Sequence, residues 1–499
     1  MKILILQLTR LGDIFSTWPT VRALRRQYPS AKIHMLVRPR FASACEGLSD
    51  LDQVIEMPMM NVFRALLKND MSDKDCLKAG MEELNDFLMD LQEENYDEII
   101  NLSFSPSSSF LVKCIESNDT KVKGYSRHED AFLRIDGDPS AYFYAQTGVR
   151  KYNRFHVNDL FAEVAGVELQ QEDYTKEVAH QIPPLVREYI GDEEYIVVHL
   201  AASTTRKSLS QEKWMNVMRR LSQQIDHKIV LIGAEIDQEI AKNIQLTVRG
   251  NKVISLVGKT KLLDLFPILK DSSLLVGLDS APIHIASLTG TPTYNLSNSY
   301  VRFWETGPKA TGSRIRGIGN FEALGSDVIC NDIQSMLEND IPSDEMILVK
   351  DPFSEYEYVE NNPHQLFCWN MIRAIYLGED FPVPYRMETI EGFKQLQELN
   401  AISLQQLTAI LRKEQNEENE RVLQNVDQLV DKLLMMVPEL APVVDWYQTE
   451  KLRIGPLEKK QIVASYCAIH ETLAKILSVY TGDNVHIEEN ANVNERTIR

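Results

Sequence analysis

Four short stretches carry residue types that could handle a charged sugar phosphate. The richest is GLDSAPIHIASLTGTP, residues 277–292. An apolar run ends at Leu278, Asp279 follows it, Ser280 is a helix-capping type, and Pro282 falls in the first turn of the helix this spacing predicts. Gly290 then suits the left-handed residue that closes a helix. Such a helix start presents free N–H groups and a positive dipole end, which suit a phosphate. His284, one turn in, could add a donor to the anion, and Asp279 could accept from the backbone or a ribose hydroxyl. The same spacing is met by a plain cap with a structural histidine, and the residues alone leave both open.

The second stretch is VVHLAASTTRKSLSQEKW, residues 197–214. Ser203, Thr204 and Thr205 offer hydroxyl and backbone donors, and Arg206 and Lys207 offer charge, without the spacing of a P-loop. A solvated loop has the same composition. In LIGAEID, residues 231–237, Gly233 ends an apolar run and Asp237 stands where a carboxylate could hold a ribose diol; acids at a helix start serve its dipole equally well. The fourth stretch, TRLGDIFSTWPTVRALRR, residues 9–26, places Gly12 and Asp13 in the turn after the first strand. A carboxylate there could act as a general base, or only cap a helix.

These stretches need a scaffold, and hydrophobic periodicity supplies one. Apolar runs at 3–8, 32–37, 54–57, 98–102 and 120–124 alternate with amphipathic segments, and a second series runs 195–200, 228–233, 252–256, 274–278 and 291–295. The alternation predicts two doubly wound α/β lobes facing a cleft. Residues 126–153 lose the period and read as an irregular excursion before a helix at 155–164. Beyond residue 340 only helical stripes remain, as at Val422, Val426, Leu429 and Leu433, and at Ile462, Tyr466, Ile469 and Leu473. We therefore expect lobes over 1–182 and 183–340, a helical extension over 341–480, and a disordered tail over 481–499.

At 499 residues with a net charge of −19, the chain has material for several cores and a charge that disfavours wholesale nucleic-acid binding. The acid is uneven: residues 341–499 carry 26 acidic and 15 basic side chains, whereas the first 40 residues hold eight basic side chains against Asp13. That basic start could face an anionic substrate or a membrane surface, or be a solvated helix face. The six cysteines form no CxxC pair, so no zinc site or disulfide framework is expected. The start reads as a buried strand and not as a signal peptide, and no run approaches the roughly 20 apolar residues of a membrane span. A cytoplasmic protein is expected.

Taken in order, LGD at 11–13, STTRKSLSQEKW at 203–214, LIGAEID at 231–237 and DSAPIHIASLTGTP at 279–292 resemble the heptosyltransferases, glycosyltransferase family 9 of the GT-B fold. The resemblance covers roughly residues 1–320. It implies an inverting transfer with Asp13 as base, and a diphosphate held by Ser203, Thr204 or Thr205 and Lys207. Asp237 would meet the ribose, and Asp279, Ser280, Ala281 and His284 would serve the donor sugar and phosphate. An ADP-heptose-like donor and an anionic glycan, lipid-linked or protein acceptor are implied, with no cofactor, no metal and no nucleic acid. Peripheral contact with the inner membrane and homo-oligomerisation through 341–480 are further expectations. The chain departs from the family at Ala281, where Gly is usual, at Asp237, where several relatives have Glu, and after Pro292. A non-catalytic scaffold that acts through the extension, or a nucleotide-sugar epimerase or hydrolase, would use the same fold.

Overall fold

The computed structural model describes residues 1–58, 74–201, 204–248, 250–412 and 417–482. Ser203 and nearly all of the expected tail lie outside these residues. The chain divides into two compact units. One comprises Met1–Ser103, Ile115–Lys121 and Phe155–Tyr358; the other comprises Phe104–Cys114, Val122–Arg154 and the chain from Val359.

The first unit holds both α/β lobes. Strands β1 (Lys2–Gln7), β2 (Lys32–Val37), β3 (Gln53–Glu56) and β4 (Glu98–Asn101) pair in parallel in the order β3-β2-β1-β4. Ile3, Leu4, Ile5 and Leu6 are all fully buried, the continuous apolar run expected of a strand covered on both faces. The second lobe runs β7 (Tyr195–His199), β8 (Lys228–Ile232), β9 (Val253–Ser255), β10 (Leu274–Leu278), β11 (Thr293–Asn298), β12 (Arg314–Ile318) and β13 (Met346–Leu348). Its order, β13-β12-β11-β10-β7-β8-β9, reverses direction between β7 and β10. In the first lobe the reversal falls between β1 and β4. Open α/β sheets bind ligands at the carboxyl ends of the strands flanking such a reversal.

Helix α1 (Leu11–Gln27) follows β1, α2 (Val157–Ala165) and α3 (Gln171–Thr175) follow the excursion, and α4 (Leu265–Lys270) and α5 (Ala281–Thr289) flank β10. The lobes join through aromatic packing: Trp18 of α1 stacks on Phe266 of α4 with centroids 5.0 Å apart, and Phe15 meets the same ring at 6.0 Å. Gly290 adopts φ 73°, the left-handed closure of α5 that its position predicts.

Two elements depart from expectation. The helical character after residue 340 is preceded by β13, which pairs antiparallel with β12; three residues are too short to display a strand period. Residues 126–153 are less irregular than their sequence suggests. They hold the end of β5 (Lys121–Arg127), the antiparallel strand β6 (Leu133–Asp136) and the helix Asp138–Gln146. The strand is only four residues long, too short for its alternation to stand out, and aromatic residues crowd the short helix.

In the second unit, that helix packs with the helical extension: Gln146 Nε2 donates to Pro442 O at 3.1 Å, and Lys151 pairs with Asp445 at 2.6 Å. The extension's helices, Pro363–Leu377, Met387–Leu411, Glu417–Met436, Ala441–Leu452 and Lys459–Thr481, enclose one apolar core in which Phe393 stacks on Tyr480 at 4.2 Å. The predicted stripes supply much of it. Contrary to expectation, Lys459–Thr481 is long and apolar enough, by length and composition, to cross a membrane. Here it buries Val463, Cys467, Leu473, Leu477 and Tyr480 against neighbouring helices.

Candidate functional site

At the first lobe's strand reversal, β1 gives way to α1. Ser103 Oγ, just beyond β4, accepts from Leu8 N–H at 2.8 Å and donates to Leu6 O at 3.2 Å, which ties the two strand ends together. Asp13 sits in the first turn of α1, half-buried, and its Oδ2 accepts from Arg10 N–H at 3.0 Å. The capping role is thus real, and it leaves the other carboxylate oxygen with no protein partner among the described residues.

Gly12 has a reason to be glycine. A Cβ there would lie 3.0 Å from His284 Nε2 and 3.1 Å from its Cδ2. His284 reaches across from α5, with its Nδ1 3.2 Å from Ser16 Oγ. Burial pushes the imidazole below its ordinary pKa, while Asp279 and Asp13 pull it upward. The structure therefore brings Asp13 and His284, widely separated in sequence, to one place.

At the second lobe's reversal, Lys207 Nζ lies 2.6 Å from Asp279 Oδ2, and Thr306 Oγ1 donates to Asp279 Oδ1 at 3.0 Å. Asp279 thus links three segments. Ser280 occupies the cap position of α5 in extended backbone, but its hydroxyl makes no cap bond. It donates to Leu278 O at 2.9 Å and lies 2.9 Å from His199 Nδ1 at the end of β7. The expected capping bond is absent because these two partners draw the hydroxyl away. The N–H groups at the start of α5, beginning at Ala281, remain at the sheet's carboxyl edge.

Of the phosphate-binding candidates on the β7 loop, Lys207 is brought to Asp279. Thr204 is exposed, with its carbonyl accepting from Lys207 N–H at 3.1 Å. Thr205 falls in the 3-10 turn Thr205–Lys207. Asn298 Nδ2 donates to Arg206 O at 2.7 Å and anchors that turn to the end of β11. Asp237 turns back on its own backbone, where Oδ2 accepts from Ala234 N–H at 2.9 Å. Among the described residues, no group of three or more His, Cys, Asp or Glu side chains is placed to hold a metal ion.

The basic start of the chain is largely consumed inside the fold. Arg22 donates to the carbonyls of Asp173, Tyr174 and Lys176, Arg25 to those of Asp50 and Ala31, Arg26 pairs with Asp173, and Lys2 pairs with Glu94. Arg10, Arg38 and Arg40 stay exposed beyond the carboxyl ends of β1 and β2. Sequence reading passed over His199 and Thr306; a histidine ending the strand before the STTRK loop was the available signal for the first.

Comparison with known proteins identifies similar sequences and folds. Residues 86–299 match the family model for glycosyltransferase family 9 (heptosyltransferase). Lipopolysaccharide heptosyltransferase 3 of Escherichia coli K12 is 23% identical over 296 residues, which span 57% of this chain and 79% of that protein. Lipopolysaccharide heptosyltransferase 1 of Campylobacter coli is 21% identical over 371 residues, 71% of this chain and 100% of the relative. The structure of E. coli heptosyltransferase WaaC with ADP superposes with a TM-score of 0.50 at 18% identity, covering 67% of this chain and 100% of that one. A glycosyl transferase family 9 structure from Veillonella parvula gives 0.50 at 16%, covering 68% and 97%. The chain resembles the heptosyltransferases of glycosyltransferase family 9, most directly over residues 86–299, and is a glycosyltransferase of GT-B fold.

Proposed function

We propose that this glycosyltransferase moves a heptose-like sugar from a nucleotide diphosphate donor to a glycan or glycolipid acceptor with inversion at the anomeric carbon. The observation that carries the reading is the approach of Gly12 and Asp13 to His284, because it sets a half-buried carboxylate beside the helix start that suits a diphosphate. The acceptor hydroxyl gives its proton to Asp13 as its oxygen bonds to the anomeric carbon. The bond from that carbon to the diphosphate oxygen breaks in the same displacement, and its electron pair leaves with the diphosphate. Lys207 and the N–H groups starting α5 offset the departing charge. The reading assigns no part to a metal.

Support for an anionic acceptor comes from Arg10, Arg38 and Arg40, exposed at the carboxyl edge of the first sheet where acceptors of this geometry approach. A lipopolysaccharide-like acceptor, and with it work in the cytoplasm at the inner membrane surface, extends what the names of the relatives describe. We take 1–182 as the acceptor lobe, 183–340 as the donor lobe and 341–480 as a helical module. Asp237 is assigned to the ribose on the same basis, after release from its Ala234 bond.

Asp13→Asn keeps the size and a capping oxygen but removes the base. Turnover with a nucleotide-heptose donor should fall about 10² to 10⁴-fold, with donor affinity measured by calorimetry within about twofold of the parent. Retention of most of the turnover would remove Asp13 from the role of base.

A further inference from the structure

We propose that His199 is a donor-binding residue whose Nε2 accepts a hydrogen bond from a hydroxyl group of the nucleotide sugar. The inference rests on the donor-site reading above and adds to it a residue and the kind of ligand group that residue takes.

The position comes from topology. β7 and β10 are the two strands flanking the second lobe's reversal, and their carboxyl ends are where an open α/β sheet holds a ligand. His199 is the last residue of β7, and Ser280 stands two residues past the end of β10. The 2.9 Å contact between them therefore spans the crevice itself.

The tautomer follows from counting protons. Ser280 has a single hydroxyl proton and two neighbours at 2.9 Å, Leu278 O and His199 Nδ1. A carbonyl oxygen only accepts, so both contacts are hydrogen bonds only when the hydroxyl proton goes to Leu278. Nδ1 must then carry its own proton and donate to Ser280. A neutral imidazole protonated at Nδ1 has a bare lone pair at Nε2. Burial holds the ring neutral, lowering its pKa to about 4.

That lone pair makes no hydrogen bond to protein among the described residues. It repels a phosphate oxygen, which is also an acceptor, and it welcomes an O–H. Beside a helix start and Lys207 that suit the diphosphate, His199 supplies the opposite function, an acceptor for a hydroxyl of the ribose or of the transferred sugar. Both sources present the same chemistry, and the two can be told apart by the ligand used.

The test has two arms on the full chain. Selective ¹⁵N-histidine labelling should show a non-protonated Nε2 for His199 near pH 7, and ADP or ADP-heptose should shift that nitrogen. A protonated Nε2 overturns the proposal without any variant. In the second arm, His199→Asn keeps a donor where Nδ1 stood and removes the Nε2 acceptor. Binding by calorimetry should weaken about five- to tenfold, the size of one neutral hydrogen bond. Weakening with ADP alone assigns the hydroxyl to the ribose; weakening with ADP-heptose only assigns it to the sugar. Lys207→Ala serves as the reference. If Lys207→Ala weakens ADP binding and His199→Asn does not, this inference fails and the donor site stands. If neither does, the donor site itself fails.

Discussion

His284 Nδ1 lies 3.2 Å from Ser16 Oγ, a contact between residues 268 positions apart that joins the second lobe's phosphate-type helix to the first helix of the chain. The same imidazole closes over Gly12, one residue before Asp13. The proposed base on one lobe and the proposed diphosphate site on the other thus share one histidine. Whatever moves α1 against α5 moves the proposed base against the leaving group.

Gly12→Ala probes that contact directly. The added methyl would stand 3.0 Å from His284 Nε2, closer than ordinary packing allows, and the ring or α1 must shift. Overpacking of this kind costs about 1–3 kcal/mol. We expect a lower unfolding midpoint in urea together with at least a tenfold loss of turnover. A variant with parental stability and rate would mean the contact is not maintained in solution.

The Lys207–Asp279 pair should behave as one unit toward a diphosphate. Lys207→Ala removes the cation, and calorimetry with ADP should show about tenfold weaker binding. Asp279→Asn leaves Lys207 without its anchor although Thr306 keeps a partner, so a smaller loss is expected. In the double variant the two losses should fall short of additive, because both act through the same ammonium group. Strict additivity would show that the residues serve separate ligand groups.

Buried histidines predict an acid-labile fold. His470, in the second unit, is buried between Asn400 and Tyr447, and desolvation lowers its pKa to about 4. Its unfolded counterpart titrates near 6.5, so between these values the unfolded chain holds the extra proton and stability rises with pH. The contribution is therefore lost as pH falls from about 6.5 toward 4, about 2 kcal/mol of it between pH 7 and pH 5. Denaturant unfolding of the parent at both pH values, compared with His470→Gln, should show the dependence shrinking in the variant. Equal pH dependence in the two proteins would discount His470.

A buried ion pair fixes the rear of the second lobe. Arg316 on β12 donates from Nη2 to Asp332 Oδ1 at 2.9 Å, and the Tyr294 hydroxyl donates to Asp332 Oδ2 at 2.7 Å. Arg316→Met leaves the Asp332 carboxylate, at 7% exposure, without its counter-ion, which should cost about 3–5 kcal/mol. Replacing both, Arg316→Met with Asp332→Leu, should recover part of that loss. Chemical denaturation measures each, and a single variant as stable as the parent would contradict the argument.

Much of this protein was legible locally. Each motif is a strand end followed by a helix start, and the residues that make such a junction, Gly12 and Asp13, Asp279 to Pro282, Gly290, are chosen by backbone geometry within a few positions. The α/β class and the helical stripes were readable for the same reason, since hydrophobic period reports on neighbours three or four residues away. The strand at 133–136 alternates apolar and charged residues, but four positions are too few to set a strand period apart from a loop.

What tertiary structure alone decided is which of these junctions meet. Arg22, Arg25 and Arg26 look like a basic face in sequence, yet their guanidinium groups are spent on carbonyls and carboxylates from residues 31, 50, 52 and 173–176. The contact between His199 and Ser280 joins residues 81 positions apart, and it exists because β10 inserts beside β7 and reverses the strand order. Strand order is set by how whole helices and sheets bury their apolar faces against one another. No window of sequence contains that, and so neither the tautomer of His199 nor the glycine-tight approach of His284 could be read before the fold was known.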